Sequence, residues 1–313
     1  MTPQDTTPQQ QDNQSNGLTI LAISSENQES SSETNSKTID TVIPDIEKLL
    51  VSGIDIPEEK LQAFGINLAM SIAESLSKRE RKASLRMSNI GKPCERQLHY
   101  EVNSPDLAEE MRPETYMKFM YGHLVEELVL FLAELAGHEV TGRQDTQEIE
   151  GIEGHRDALV DGTLVDVKSA SSYSFKKFQS GLPKDNDPFG YIPQLQSYLY
   201  AGQEDSKVTD KDRAAFLVVD KTLGHICLDI HQKDETDWPE FFNKKKEMIA
   251  GELPPRGYES EPMGSSGNRM LGFNCSYCQF SKACWPEQRT FLYANKPITL
   301  VEVVLEPRVQ ELK

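Results

Sequence analysis

The sequence predicts an α/β protein, and three observations carry that prediction. Apolar residues recur at helical spacing over 113–136, 191–201 and 234–252. Two pairs of apolar, β-branched runs are joined as hairpins, one through Asp161-Gly162 and one through Thr222-Leu223-Gly224. The chain is 313 residues long and 37% hydrophobic, which suffices for a real core.

The net charge of -17 argues against general affinity for nucleic acid, which leaves a basic footprint. The charge is segregated, however. Residues 1–60 hold eleven acids against three bases, whereas 78–96 holds seven bases against two acids, so any phosphate-binding surface must be local. No run of eighteen apolar residues occurs, and the N-terminus lacks a charged segment followed by an apolar one. The expectation is a soluble, cytoplasmic protein without a signal peptide or membrane span.

Residues 1–40 are rich in Gln, Ser, Thr, Asn and Asp and are expected to be a disordered tail, with a helical segment over 41–86. Pro57, preceded by Asp55, opens a helix with Leu61, Phe64, Leu68, Ile72 and Leu76 on one stripe. It runs into Lys78-Arg79-Glu80-Arg81-Lys82, either a solvated helix end or a DNA-backbone contact. In Met87 to Leu98, Pro93 is placed to start a short helix carrying Cys94 and Arg96. A long helix follows over Pro113 to Ala136, stopped by Gly137, with Met117, Met120, Tyr121, Leu124, Leu128, Phe131 and Leu135 as its buried stripe. Gly122 in mid-helix predicts the close approach of another backbone, with Glu126 or Glu127 facing inward nearby.

The first hairpin is the piece the chain is organised around. Asp157 lies just before Ala158-Leu159-Val160, and Leu164-Val165-Asp166-Val167-Lys168 returns from the turn. Strand alternation points Asp166 and Lys168 to one face and Val165 and Val167 to the other. Two carboxylates and an ammonium converging on a sheet suit a hard divalent cation, which prefers carboxylate oxygens and completes its shell with water and phosphate. Such a cation neutralises charge on a scissile phosphate, and a lysine beside it can orient or deprotonate the attacking water.

A short helix over 173–179 and a Pro, Asp and Gly-rich loop over 181–190 are expected at the rim of this site. In the helix 191–201, Gln194 and Tyr198 stand one turn apart, either as a polar edge or as hydrogen-bonding partners of a phosphate or base. The second hairpin, 213–231, extends the same sheet and buries Cys227. The helix over 234–252 turns Trp238, Phe241, Phe242 and Ile249 inward and leaves 244–246 exposed. Residues 253–272 are expected as a linker, and 299–305 as a final strand.

Cys275-x2-Cys278-x5-Cys284 supplies three thiolates in a short loop, and Cys94 is the expected fourth, since Cys227 sits in a core strand. Four thiolates suit an iron–sulfur cluster or a structural zinc, and spacing does not separate the two.

The order of these motifs resembles the RecB-like exonucleases of the PD-(D/E)xK superfamily that carry a four-cysteine iron–sulfur staple. The CRISPR-adaptation and AddB-type nucleases belong to that group. The matching motifs are Cys94-Glu95-Arg96, Gly122-x3-Glu126, Asp157, Asp166-x-Lys168, Gln194-x3-Tyr198 and the terminal cysteine trio. Asp166 stands where many relatives have Glu, and no ATP-binding Gly-x4-Gly-Lys-Ser/Thr loop occurs.

The resemblance implies an α/β fold with a central mixed sheet flanked by helices, a nuclease domain over 87–290 and a C-terminal extension over 291–313. It implies a DNA exonuclease dependent on Mg²⁺ or Mn²⁺, acting on single strands or duplex ends. Glu126, Asp157, Asp166 and the Val167 carbonyl would hold the cation, and Lys168 would position the water. Gln194, Tyr198 and Arg96 would contact the strand. Cys94, Cys275, Cys278 and Cys284 would hold a 4Fe–4S cluster, with zinc as the alternative. A recombination or replication protein would be a partner, and the host cytoplasm the location if the chain is phage-encoded. The competing readings are a non-catalytic DNA-binding or assembly subunit and an RNA-directed nuclease.

Overall fold

The central sheet is assembled from five strands that are not all consecutive in sequence. In the computed structural model, which describes residues 37–77 and 83–312, these strands are β1 (Val140–Thr141), β4 (Ala158–Val160), β5 (Thr163–Ala170), β6 (Arg213–Asp220) and β7 (Ile226–Gln232), in the order β1-β4-β5-β6-β7. A separate ribbon, β2 (Thr146–Ile149) with β3 (Ile152–His155), precedes the hairpin. β5 and β6 run parallel and every other pair in the central sheet is antiparallel, so the sheet is mixed. Parallel neighbours need a long crossover. Here it carries α6 (Ser172–Gln179), the rim loop and α7 (Tyr191–Ala201).

The expected hairpin turn is present. Asp161 and Gly162 both have positive φ, 49° and 75°, as a two-residue type I′ turn requires. Ala158 pairs with Val165 and Val160 with Thr163. That register puts Leu164 on the face covered by α6 and α7, together with Phe216, Val218, Phe178 and Leu195. Ala158, Val160 and Val165 turn to the other face, against α1 (Val42–Ser52) and α5 (Pro113–Leu135), whose Val42, Ile46, Val129, Leu130 and Ala133 are buried there. Burying each large aliphatic or aromatic chain stabilises by about 1.5–3 kcal/mol. With both faces covered, a one-residue slip of β5 would move every such residue to the wrong layer.

Four helices flank these layers. α2 (Glu58–Leu76) lies along α5, with Phe64 stacked on Phe131 at 4.4 Å. α3 (Met87–Ile90) and α4 (Glu95–Asn103) lead from that pair towards α8 (Trp238–Ala250), which buries Trp238 and Phe242. Lys245 on α8 is 13% exposed and paired with Glu95, so the run 244–246 is not uniformly exposed. Among the described residues, no helix is long and apolar enough to cross a membrane.

Several expectations are corrected. Residues 37–40 fall in the stretch expected as tail, yet Ile39 is 1% exposed and packs with α1 and α5. The tail before them and the basic run 78–82 lie outside the described residues. Gly122 has nothing within 4 Å of where a Cβ would stand, so no backbone approaches it. The stripe expected on α5 is out of phase with the buried face, which is Val129, Leu130, Phe131 and Ala133. Phe131 is buried, whereas Met117, Tyr121 and Leu128 are 44–50% exposed: the sheet underlies only the C-terminal turns, and there Val129, Leu130 and Ala133 face it while Leu128 turns to solvent. Leu61 and Leu76 of α2 are likewise exposed.

Residues 253–312 also differ from a linker followed by one strand. They contain β8 (Glu261–Pro262), β9 (Arg269–Met270), β10 (Arg289–Tyr293), β11 (Lys296–Glu302) and β12 (Glu311–Leu312), forming a second sheet in the order β12-β10-β11-β9-β8. Two short helices, α9 (Phe273–Ser276) and α10 (Ser281–Cys284), interrupt it and carry three cysteines on or beside them. Asn268, 3% exposed, clips the chain end with a bond to the Leu305 carbonyl and two from the amides of Val304 and Leu305, each 2.8 Å.

Candidate active site

Because side chains alternate along β5, Asp166 and Lys168 share the face that carries Leu164. Asp157, one residue before β4, reaches across the hairpin: its Oδ2 accepts a 2.7 Å bond from the Val167 amide. The Lys168 ammonium stands 2.5 Å from Asp166 Oδ1 as a close ion pair. Asp166 Oδ2 accepts from Gln194 Nε2 at 3.2 Å. Lys168 also lies 4.7 Å over the Tyr191 ring and 5.8 Å from that of Phe216, two aromatic faces that favour the cation.

Glu126 approaches from α5. Gln144 Nε2 bonds its Oε1 at 2.7 Å, and Gln144 has the positive φ of 54° needed to turn its side chain that way. Glu127 faces a different partner, Arg143, at 3.0 Å. Burial pushes the Asp157 carboxyl well above the usual carboxylate range, and the charges of Asp166 and Glu126 push it further, against the pull of Lys168 and the Val167 amide. Asp166 is also raised, first by burial, with Lys168 opposing and Glu126 adding to the shift. Burial works against the Lys168 ammonium, but Asp166 and Asp157 outweigh it and raise its pKa. The group therefore holds three carboxylates against one ammonium in a low-dielectric setting, where unbalanced charge is costly.

The structure thus brings Glu126, Asp157, Asp166, Lys168 and Gln194 together. Arg96 lies elsewhere, whereas Tyr198 is buried beside the acids, its hydroxyl pKa raised by burial and then by the charges of Asp166 and Asp157. Tyr198 is 3% exposed and packs against Gly154, where a Cβ would come within 2.7 Å of its hydroxyl. This tyrosine is a core residue in this conformation. Arg96 donates to the Pro254 carbonyl at 2.7 Å and to the Tyr100 hydroxyl at 3.3 Å, which ties α4 to the chain beyond α8.

The sequence reading missed Tyr191, Gln144 and Arg156. Arg156, fully buried, donates to Asp145 and Asp205 at 2.7 Å each and to the Gly142 carbonyl at 3.3 Å, fixing the loop beside Asp157. The turn end of the hairpin is pinned as well, by a 2.7 Å contact between buried His138 Nδ1 and Asp161. Single residues of this kind have no spacing pattern; only the folded register gives them partners.

Cys94, Cys275, Cys278 and Cys284 line one small cavity of about 30 Å³. None is in a disulfide. Cys94 caps α4, and Gly257 packs on it so closely that a Cβ would stand 3.0 Å from its sulfur. Burial pushes the Cys278 thiol up to about 11, opposed by the Phe280 amide and helped by the other three cysteines. Cys275 is raised by burial and by the Cys284 and Cys94 sulfurs. Arg256 closes the cavity, its guanidinium 3.8 Å over the Trp285 ring and bonded twice to the Cys284 carbonyl.

Among the described residues, no three His, Cys, Asp or Glu side chains stand ready-made as a metal cage in this arrangement. Both groups nevertheless meet the chemistry of a cation. The acids offer hard oxygens in excess of their one positive partner, Lys168. The cysteines offer four soft sulfurs around one space, and burial makes Cys275 and Cys278 costly to ionise without a metal.

No family model and no curated protein matches the chain. Among solved structures it is similar to SSO0001, with 16% identity and a TM-score of 0.40 over 70% of this chain and 95% of that one. It is also similar to LHK-Exo in complex with dAMP, at 16% identity and TM-score 0.35 over 54% and 88%. A phage related exonuclease from Haemophilus somnus 129PT matches at 16% identity and TM-score 0.32 over 53% and 90%.

Proposed function

We propose that this chain is a divalent-cation-dependent deoxyribonuclease, an exonuclease acting on DNA ends or single strands. The observation that carries the reading is the buried pair Asp157 and Asp166 with Lys168 on one sheet face, joined by Glu126 from α5. Three carboxylates with one ammonium have little structural use, since apolar residues of equal volume would stabilise the sheet more. They suit a centre that recruits positive charge.

Glu126, Asp157 and Asp166 would hold Mg²⁺ or Mn²⁺, which supplies Lewis acidity and charge neutralisation at the scissile phosphate. Lys168, fixed between Asp166 and Tyr191, orients the attacking water and steadies the negative charge that develops on the phosphate oxygens. Gln194 fixes the orientation of the Asp166 carboxylate. The Val167 amide holds Asp157 in the same way. Cys94, Cys275, Cys278 and Cys284 would hold an iron–sulfur cluster, or a zinc ion in the alternative. Either would staple α4 to the C-terminal sheet.

The test is digestion of end-labelled linear DNA, closed circular DNA and RNA with Mg²⁺ or Mn²⁺, by protein prepared without oxygen. Linear DNA should be degraded and the circle and RNA spared. Asp166→Ala and Lys168→Ala should each lose about 10²–10³-fold or more, with unchanged circular dichroism. Full activity in either variant would refute the site, and salt-sensitive DNA binding without cleavage would assign the chain a non-catalytic role. Visible absorbance and metal analysis of the same sample distinguish the cluster from zinc.

A further inference from the structure

The loop over 181–190 carries one aromatic residue, Phe189, which is 47% exposed, whereas its Leu182 is buried. The loop is held at several points. The buried Leu182 amide donates to Asp229 at 2.9 Å, Lys177 bonds Asn186 at 3.1 Å, and Asp187 accepts from the Ile192 amide at 2.8 Å. Gly190, at a φ of 74°, packs its backbone directly on Gly91. An apolar ring in so constrained a loop stays in water because the backbone on both sides is fixed.

Its position relative to the acids is also fixed. The Phe189 and Tyr191 ring centroids are 5.4 Å apart, and Tyr191 carries the Lys168 ammonium 4.7 Å above its own centroid. The two spans bound the Phe189 ring within about 10 Å of Lys168. With a rise of about 3.4 Å per stacked nucleotide, and more when the strand is extended, that is at most about three nucleotides. Bases in a duplex already stack on their neighbours; an unpaired base has a free face for an aromatic ring.

We propose that Phe189 is the stacking platform for an unpaired base of the strand being cut, so that the site selects single-stranded or frayed ends over blunt duplex. The inference rests on the nuclease reading above and adds the form of its substrate. Phe189 touches neither the acids nor Lys168; it acts by seating the strand, with Tyr191 between it and the ammonium.

The experiment compares wild type, Phe189→Ala and Phe189→Trp on an oligonucleotide with a single-stranded overhang, with an abasic residue walked through the first four positions. Cleavage is read as KM and kcat in Mg²⁺. Binding is read separately by fluorescence anisotropy in Ca²⁺, so that it does not depend on turnover. Phe189→Ala should raise KM and Kd roughly 5- to 150-fold with kcat nearly unchanged, and Phe189→Trp should restore both. One abasic position should cost the wild type a similar factor and cost Phe189→Ala nothing further. Unchanged KM in Phe189→Ala, a loss confined to kcat, or abasic and Ala effects that add in full would each overturn the proposal. A wild type that binds with this base dependence but never cuts would instead sink the nuclease reading and leave the platform standing.

Discussion

The acid group and the cysteine group are built in opposite ways. Asp157 and Asp166 ride on an eight-residue strand and its hairpin, backed on both faces by buried side chains, and Glu126 joins them from α5. The cysteines ride on a helix cap and two four-residue helices, brought together from positions 94 and 275–284. The first group is positioned by the core whether or not a cation is bound. The second is joined to α4 by Phe280, 1% exposed and stacked on Tyr100. Its short helices have no strand register to hold the sulfurs in place, so a metal bound there would supply part of the folding energy. A cation should therefore be a reagent at the first site and a structural part of the second.

The largest effect follows from stripping each metal in turn. Removing the metal proposed for the cysteines, or changing Cys278→Ala, should cost several kcal/mol and lower the melting temperature by on the order of 10 °C. Proteolysis should begin between α8 and β10. Removing Mg²⁺ from the acids with EDTA should shift the melting temperature by only a degree or two. Equal shifts in calorimetry would break the contrast.

Next in size are two changes on the acid side. Gly190→Val would put a branched chain at positive φ against the Gly91 backbone, costing about 3 kcal/mol or more and displacing α7 with Gln194. Chemical denaturation and residual cleavage should fall together. Arg156→Met should cost about 3 kcal/mol, the low end for a buried arginine, since Asp145 and Asp205 keep partial access to water.

The arginine change also has a pH signature. Lys207 and Arg156 hold the Asp145 carboxyl below its usual range. Burial raises Asp205, but the Lys207 amide and Arg156 outweigh it and lower the net value. A lowered folded pKa gives stability above the unfolded value of about 4, lost as pH falls through the folded one. Wild type should therefore lose stability below about pH 4 more steeply than Arg156→Met. Parallel melting curves from pH 5 to 2 would contradict this.

The smallest effect has the opposite sign. Without cation, Asp157 is repelled by Asp166 and Glu126. Asp157→Asn keeps an acceptor for the Val167 amide and removes one buried charge, so it should stabilise the EDTA-treated protein by about 1 kcal/mol while abolishing cleavage. A lower melting temperature would show that the charge is structural.

The hairpin was legible because a two-residue turn and a period of two fix which side chains meet, and the Asp166 and Lys168 pair follows from that alone. Glu126 was reached only through a motif resemblance, since the open space around Gly122 removes the packing reason offered for it. The second sheet escaped because β8, β9 and β12 are two residues each, too short for any periodicity. The exposed start of α5 was misread for a different reason. Helical spacing did not fix which face meets a partner or how far that partner extends: the sheet reaches only the C-terminal turns, and there Val129, Leu130 and Ala133 face it rather than Leu128.

The central claim is that Glu126, Asp157 and Asp166 share one divalent cation. Mn²⁺ titration followed by electron paramagnetic resonance measures it directly. Wild type should bind Mn²⁺ at this site, and Asp157→Asn, Asp166→Asn and Glu126→Gln should each weaken that binding at least about tenfold, about 1.4 kcal/mol, while the folded baseline is unchanged. Identical binding curves for wild type and all three variants would contradict it.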